Sequence, residues 1–133
     1  MHRIKNKNVL LTGATGGIGR QIALTLGRAG ASLMLAARSA DQLESLQAEL
    51  RSTGARADFA AGDLLDDSYR RNLPLRARSA MGQIDILINN AGVDEFVEFT
   101  DQRRSDIQLI LDLNITAPMM LPREVLGPML ERR

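Results

Sequence analysis

A glycine-rich segment near the start of the chain has the composition of a phosphate-binding turn. Gly13, Gly17 and Gly19 follow an apolar run at residues 9–11, and an apolar helical pattern begins directly after them. A strand-to-helix turn leaves backbone N–H groups free at the positive end of the helix dipole, where a phosphate can bind. Gly13 would allow the sharp turn, Gly17 would let a pyrophosphate approach the backbone, and Gly19 would let the helix pack closely on the strand.

The spacing of these glycines, G-x-x-x-G-x-G, differs from the G-x-G-x-x-G of most dinucleotide-binding folds. On spacing alone, a glycine-rich turn that binds nothing is therefore a competing interpretation. The strand-to-helix context favours phosphate binding.

Arg38 follows a second predicted strand at residues 33–37 and bears on the choice of cofactor. A dinucleotide site that selects NAD usually has an acidic side chain about 20 residues beyond the glycines, whereas a guanidinium can bind the 2′-phosphate of NADP. Here the strand ends in Ala36-Ala37-Arg38-Ser39, without a carboxylate. This pattern favours NADP over NAD. The alternative is a solvated arginine at a strand end.

Polar residues also follow two further predicted strands, at residues 58–61 and 84–88. Asp63 could accept a hydrogen bond from an adenine amino group, with Leu64 beside the ring, or it could cap the following helix. Asn89 and Asn90 could bind either the loop backbone or the ribose on the nicotinamide side, and an Asn-Asn-Ala-Gly sequence also suits a turn.

Asn114 lies on the apolar face of a predicted helix, with Ile107, Ile110 and Leu111. A buried amide is costly unless its donors and acceptors have partners. Asn114 is therefore either an asparagine satisfied within the core or a side chain placed for water and substrate.

The elements that position these residues alternate between strand and helix patterns. The first helix should end near Gly27 or Gly30. A second helix should begin at Ser39, where Gln42 completes a capping box, and should end at Gly54. Asp66 or Asp67 can cap a third helix.

Proline is expected to disturb the later helices. Pro74 predicts a break near Leu73, because proline inside a helix costs about 3 kcal/mol. A long helix should begin near Asp101 or Ser105, with Pro118 and Pro122 kinking or interrupting it.

Strands that alternate with helices imply right-handed parallel βαβ units. The predicted fold is α/β, a Rossmann-type doubly wound parallel sheet with strand order 3-2-1-4. Ligands bind such sheets at the carboxyl ends of the strands where the order reverses. The polar segments described above all lie at these ends.

Taken together, these segments resemble the amino-terminal half of a short-chain dehydrogenase/reductase. The resemblance is carried by Thr12-Gly13-x-x-x-Gly17-Ile18-Gly19, Asp63-Leu64, Asn89-Asn90-Ala91-Gly92 and Asn114, over nearly the whole chain. It implies that the cofactor is bound by Gly13, Thr15, Gly17, Ile18, Gly19, Arg38, Asp63, Leu64, Asn90 and Gly92. Of these, the glycine segment would hold the phosphates, Arg38 the 2′-phosphate, Asp63 and Leu64 the adenine, and Asn90 the ribose.

The same resemblance implies that Asn114 is the catalytic asparagine, whose local helix distortion supports a water in a proton relay. The chain departs from the family at Gly16, where many NADP-using relatives have a basic residue. The preference for NADP therefore rests on Arg38 alone.

The general acid of the family, a Tyr in a Tyr-x-x-x-Lys motif preceded by a Ser, has no counterpart in this sequence. Tyr69 is followed by Arg70-Arg71-Asn72-Leu73 and belongs to a predicted surface helix. We therefore expect residues 1–133 to be a truncated dinucleotide-binding domain of a longer enzyme, inactive alone, with strand four left as an apolar edge.

Composition narrows the classes of function. The formal charge is +1 from 17 basic and 16 acidic residues, which gives no reason to expect nucleic acid or a membrane as a partner. The absence of cysteine excludes disulfides and thiolate metal sites and favours a cytoplasmic location. His2, the one histidine, lies at a terminus, so histidine catalysis is not expected.

Two classes of function stay open. One is an NADP-dependent oxidoreductase that acts on a small ketone or alcohol. The other is a non-catalytic dinucleotide-binding module or scaffold. The amphipathic helix around Asn114 could join a partner helix, and the family resemblance implies a homodimer or homotetramer.

Overall fold

The computed structural model describes residues 3–132, so His2 lies outside the described residues. Its centre is a parallel sheet of β1 (Asn8–Thr12), β2 (Ser32–Ala37), β3 (Arg56–Ala61) and β4 (Ile86–Ile88). The strand order is β3-β2-β1-β4, which confirms the predicted order. Val9 of β1 lies opposite Leu33 of β2 on one side and Ile86 of β4 on the other.

Helices connect the strands and cover both faces of the sheet. They are α1 (Gly17–Arg28), α2 (Ala40–Ser52), α3 (Asp67–Met81), α4 (Arg104–Leu111) and α5 (Ala117–Leu130). A 3-10 turn at Phe99–Asp101 precedes α4, and a π-helical segment at Asp112–Thr116 joins α4 to α5. The predicted alternation of strands and helices is confirmed.

The two central strands are apolar on both faces because helices cover both. Val9 and Leu11 pack in a cluster with α1 and α2, whereas Leu10 and Met34 pack with α3 and α5 on the opposite face. Successive side chains of a strand point to opposite faces, so a doubly covered strand needs a continuous apolar run. The sequences of β1 and β2 meet this requirement.

Capping groups fix the helix ends that the sequence predicted. The Ser39 hydroxyl accepts a hydrogen bond from the backbone N–H of Gln42 at 3.4 Å, and Asp66 accepts one from Ser68 at 2.8 Å. Gly30 and Gly54 both have a φ of 84°, a left-handed conformation that follows the ends of α1 and α2.

The predicted break near Leu73 is wrong, since α3 runs without interruption through Pro74. Leu73, Pro74 and Ala77 are all buried. Packing of this helix face on the sheet offsets the roughly 3 kcal/mol that an internal proline costs.

The effect of the later prolines also differs from the prediction. Pro122 lies inside α5 and does not interrupt it. The interruption comes earlier, in the π-helical segment, and Pro118 lies in the first turn of α5, directly after that segment.

Strand β4 is shorter than its predicted range of residues 84–88. Ile84 is buried against the α3 and α5 side, and Asp85 accepts a hydrogen bond from the backbone N–H of Asn8 at 2.9 Å. Within residues 3–132, β4 pairs with β1 alone and its three residues are half-buried, so it is an edge strand with apolar side chains. None of the helices in this range combines the length and the hydropathy of a membrane-spanning segment.

Tyr69 on α3 is a half-buried packing residue. Its hydroxyl donates a hydrogen bond to the Ala60 carbonyl oxygen at 2.6 Å, and its ring lies so close to Gly62 that a Cβ there would be 2.2 Å from a ring carbon. Burial disfavours the phenolate and raises the pKa of Tyr69 to about 12.

We predict that Tyr69 ionises with a midpoint near pH 12, against 10.0 for an exposed tyrosine. The folded state holds the Tyr69 proton more tightly than the unfolded state does. The contribution of Tyr69 to the free energy of unfolding is therefore complete below pH 10 and is lost as the pH rises through 12. The chain has one tyrosine and no tryptophan, so a tyrosinate absorbance titration reports this group directly. Tyr69→Phe is the control for the stability measurement. A midpoint at the exposed value would contradict the burial.

Candidate functional site

A cavity of about 730 Å³ lies where the carboxyl ends of the four strands meet. Every residue that the sequence predicts to bind a cofactor lines it, namely Gly13, Thr15, Gly17, Ile18, Gly19, Arg38, Asp63, Leu64, Asn90 and Gly92. The structure therefore brings together four segments that lie far apart in the sequence. Their contact with a cofactor stays a prediction.

The three glycines of the turn have different surroundings. Gly13 has a φ of 64°, and a Cβ there would lie 2.7 Å from the Ala91 Cα. At Gly19, a Cβ would lie 2.0 Å from the Gly13 carbonyl oxygen, whereas at Gly17 it would meet nothing within 4 Å. Gly13 and Gly19 thus allow close packing, and Gly17 leaves the backbone open on the cavity side.

The N-terminus of α1 has a positive electrostatic potential that favours an anion. Gly16 is the N-cap residue and supplies no capping side chain, and the first turn contains no acidic residue. The first N–H groups of a helix have no intrahelical acceptor, and the helix dipole places partial positive charge there. With Gly17 open above them, these groups can bind a phosphate.

Thr12 and Asn90 join the end of β1 to the segment after β4. The Thr12 hydroxyl oxygen accepts hydrogen bonds from the backbone N–H groups of Asn90 (3.1 Å) and Ala91 (3.2 Å), and the hydroxyl donates to the Ile88 carbonyl at 3.4 Å. In return, Asn90 Nδ2 donates to the carbonyl oxygens of Thr12 (3.2 Å) and Gly13 (3.0 Å). We call these five hydrogen bonds the Thr12–Asn90 clasp.

Of the alternatives for Asn90, the structure shows bonding to the loop backbone. Asn89 is oriented differently, since its Nδ2 donates to the Pro118 carbonyl at the start of α5 at 3.2 Å. Both asparagines therefore hold this corner of the sheet together. Thr12 is only 1% exposed.

Arg38 and Asp63 occupy the other two strand ends. Arg38 is exposed, and within residues 3–132 it makes no ion pair. Asp63 accepts a hydrogen bond from the Leu65 backbone N–H at 2.9 Å, and the cap of α3 is Asp66 rather than Asp63. One carboxylate oxygen of Asp63 thus holds its own loop.

Asn114 lies in the π-helical segment and is satisfied without being buried. Its Oδ1 accepts from the Val93 N–H at 2.8 Å and its Nδ2 donates to the Val93 carbonyl at 2.7 Å. Of the two alternatives for Asn114, an asparagine satisfied within the core is not what the structure shows, because the residue is exposed. It lines a cleft of about 510 Å³ next to the main cavity, with Gly92, Val93 and Asp94 among its neighbours.

The expected helix distortion is present at Asn114. The backbone N–H of Ala117 bonds to the carbonyl of Asp112, five residues back, which defines the π turn. Such turns arise mostly as short bulges and are frequent at functional sites.

The sequence profile of the short chain dehydrogenase family matches residues 7–133. The chain belongs to this family. It is 36% identical over 133 residues to the oxidoreductase UcpA of Salmonella typhimurium, covering 100% of this chain and 50% of that protein. It is 34% identical over 132 residues to the ketoacyl reductase HetN of a Nostoc species, covering 99% of this chain and 46% of that protein.

Two solved structures have the same fold over nearly the whole of this chain. A metagenomic short-chain oxidoreductase in complex with NADP matches with a TM-score of 0.90 and 30% identity, over 97% of this chain and 59% of that one. L-Sorbose reductase from Gluconobacter frateurii, complexed with NADPH and L-sorbose, matches with a TM-score of 0.90 and 28% identity, over 99% and 51%. The chain spans about half the length of the curated relatives it matches.

Several residues that line the cavity were not predicted as site residues from the sequence. Ser39 and Gln42 line the cavity although the sequence suggested only a capping role for them, and their position just after Arg38 is the signal that could have found them. Leu109 and Leu113 also line it. Their placement depends on the path of residues 93–103, for which the sequence has no comparable signal.

We predict that Thr12→Val lowers the free energy of unfolding by about 1–3 kcal/mol, because two buried backbone N–H groups lose their acceptor. Valine has nearly the same shape, so packing is preserved. Urea unfolding measures the change, and Thr12→Ser, which keeps the hydroxyl, is the matched control. Equal stability of Thr12→Val and the wild type would show that the clasp contributes nothing.

Proposed function

We propose that the intact protein is an NADP-dependent oxidoreductase that transfers a hydride between the nicotinamide and a small ketone or alcohol. In this proposal, residues 1–133 form its dinucleotide-binding domain. The main support is the single cavity into which the glycine turn and the three other strand ends all open. A doubly wound sheet binds dinucleotides at this point.

The cofactor would lie across the strand ends. Gly13, Thr15, Gly17, Ile18 and Gly19 would hold its phosphates, with the uncapped start of α1 and the open face of Gly17 as the fitting observations. Asp63 and Leu64 would hold the adenine. Asn90 would position the ribose on the nicotinamide side through the loop it supports, beside Gly92.

The preference for NADP is supported by Arg38. Its exposed guanidinium lines the cavity directly after β2, and no carboxylate stands at that strand end to repel a phosphate. NADP and NADPH are also the cofactors in the two structural relatives named above. Because residue 16 is glycine, Arg38 is the cation that the sequence offers for this role.

Asn114 would contribute to proton transfer rather than to cofactor binding. Its Oδ1 and Nδ2 each make one hydrogen bond to the Val93 backbone, so it holds the π-helical segment against the loop after β4. A water bound at this segment would pass a proton onward. A bound cofactor would supply or accept the hydride. Residues 1–133 contain no Tyr-x-x-x-Lys motif. We therefore expect them to bind cofactor without turnover.

Turnover separates this proposal from the alternative, a non-catalytic dinucleotide-binding module or scaffold. The measurement is NADPH oxidation by the full-length protein with a panel of ketones and aldehydes. We expect turnover with at least one carbonyl. Micromolar NADPH binding with no turnover on any carbonyl would favour the module.

The proposal also includes a homodimer or homotetramer and a cytoplasmic location. Ile115, Met119 and Leu126 are 51%, 71% and 49% exposed and recur at helical spacing, which suits a helix that packs on a partner copy. Sedimentation equilibrium of the full-length protein tests the association state, and cell fractionation tests the location. A monomer at all concentrations would remove the oligomer from the proposal.

We predict that Arg38→Asp weakens NADPH binding at least tenfold, because it replaces a charge-assisted hydrogen bond by a repulsion. NADH lacks the 2′-phosphate and should lose less. Fluorescence titration with both cofactors measures the two losses, and Arg38→Gln separates loss of attraction from added repulsion. Equal losses for NADPH and NADH would remove the reason for naming NADP.

A further inference from the structure

The loop after β3, residues 62–65, lines the cavity along its whole length. In the proposed function this loop binds the adenine through Asp63 and Leu64. The helix that follows has Asp66 as its cap, and the backbone N–H of Arg70 donates to the Asp66 carbonyl at 3.1 Å. Arg70 therefore lies one turn inside α3, where its side chain can reach back to the loop.

Arg70 is enclosed between α3 and this loop. Its side chain is only 11% exposed, its Nη1 donates a hydrogen bond to the Leu64 carbonyl oxygen, and its Nη2 pairs with Asp67 at 3.2 Å. Arginine is seldom buried to this extent unless its charge has partners, because the desolvation of an ion is costly. The two partners of Arg70 thus fix the guanidinium against the loop.

The peptide group between Leu64 and Leu65 is bound at both ends. Its carbonyl oxygen accepts from Arg70, and its N–H, which belongs to Leu65, donates to Asp63 Oδ1 at 2.9 Å. A peptide group is planar, so its C=O and N–H rotate together. Without the Arg70 hydrogen bond this peptide group could rotate, and the Asp63 carboxylate would lose the donor that orients it.

The Asp63 carboxylate has one oxygen left for a ligand. Oδ2 has no hydrogen-bond partner within residues 3–132, and Asp63 is an exposed residue of the cavity. A carboxylate oxygen can accept a hydrogen bond from the amino group of adenine, whereas the carbonyl oxygen that hypoxanthine has at the same position donates none. The orientation of this carboxylate therefore affects the choice between the two bases.

Tyr69 fixes the other end of the loop independently of Arg70. Its ring packs on Gly62, and its hydroxyl donates to the Ala60 carbonyl at 2.6 Å. The Gly62 N–H also donates to the Ala37 carbonyl of β2 at 2.9 Å. Loss of the Arg70 guanidinium should therefore change residues 64–65 and leave the start of the loop in place.

We propose that Arg70 is a positioning residue for adenine recognition. It binds the peptide group between Leu64 and Leu65, and this group orients the Asp63 carboxylate toward the amino group of the base. Arg70 does not line the cavity, so it acts through the loop and not by contact with the cofactor. This inference rests on the proposed function and deepens it.

The experiment is a fluorescence titration of the full-length protein with NADPH and with its deamino analogue, in which hypoxanthine replaces adenine. We expect the wild type to prefer NADPH about tenfold, because the bond from the adenine amino group to a carboxylate is charge-assisted. Arg70→Met keeps an aliphatic side chain and removes the guanidinium. It should lower NADPH affinity about fivefold and leave the affinity for the analogue within about twofold.

Arg71→Met is the matched control. Arg71 is the next residue of α3, pairs with the same Asp67 at 2.8 Å and has a side chain that is 68% exposed, but it makes no hydrogen bond to the loop within residues 3–132. Its loss removes the same charge and should keep the wild-type preference. An equal loss of preference in Arg71→Met and Arg70→Met would overturn the inference, since the change in charge alone would then explain it.

Asp63→Ala tests whether Arg70 acts through Asp63. This variant should lose the preference for NADPH over the analogue. In its background, Arg70→Met should lower NADPH affinity by less than about twofold, because the two changes remove one interaction. A further fivefold loss in the double variant would contradict this route.

A folding defect is controlled by the thermal unfolding midpoint of each variant and by Arg70→Gln, a polar substitution that also removes the guanidinium. We expect Arg70→Gln to show the same reduced preference as Arg70→Met. A merely structural role would lower the affinities for NADPH and the analogue equally, and that result would overturn the inference.

The outcomes also separate this inference from the proposed function. If the wild type binds no NADPH, both fail. If it binds NADPH and the analogue equally, the adenine contact of Asp63 fails together with this inference. If it prefers NADPH and Asp63→Ala removes the preference, but Arg70→Met and Arg70→Gln retain it, this inference alone is overturned.

Discussion

The close approach of the β1 and β4 ends at Gly13 is the constraint on which the site depends. The Gly13 carbonyl lies where a Cβ at Gly19 would be, and the Gly13 Cα faces the backbone of Ala91. Backbones can meet at this distance only where side chains are absent. The Thr12–Asn90 clasp satisfies the polar groups that this approach buries. The N–H groups at the start of α1 take no part in the clasp and have no capping side chain, so they can bind a ligand.

Two arginines near the start of α1 and the end of β2 differ in their partners. Arg20 is matched by Glu49 across α1 and α2, whereas Arg38 stands at the rim without an ion pair within residues 3–132. The start of α1 adds partial positive charge without a titratable group. An anion thus meets several weak sources of positive potential instead of one buried charge. Such an arrangement avoids the large desolvation cost of burying an unpaired cation.

Much of this architecture could be predicted from the sequence because its causes are local. The apolar runs of β1 and β2, the Ser39 and Asp66 caps and the glycine turn each specify their own element, and parallel alternation then fixes where the strand ends meet. The continuous α3 could not be predicted from Pro74, because packing of Leu73 and Ala77 on the sheet decides it. Long-range contacts also explain why the sequence did not predict Leu109 and Leu113 as cavity residues. Their surroundings depend on how separate elements lie together.

An amide chemical-shift titration of the protein with NADPH tests whether one ligand meets all four strand ends. We expect backbone amides at Gly16, Gly17 and Gly19 to shift together with those of Arg38, Asp63 and Ala91, along one saturating curve. These positions all follow strand ends that open into the cavity. Unchanged amides at 16–19 at saturating NADPH, with shifts confined to α3 or α5, would contradict it.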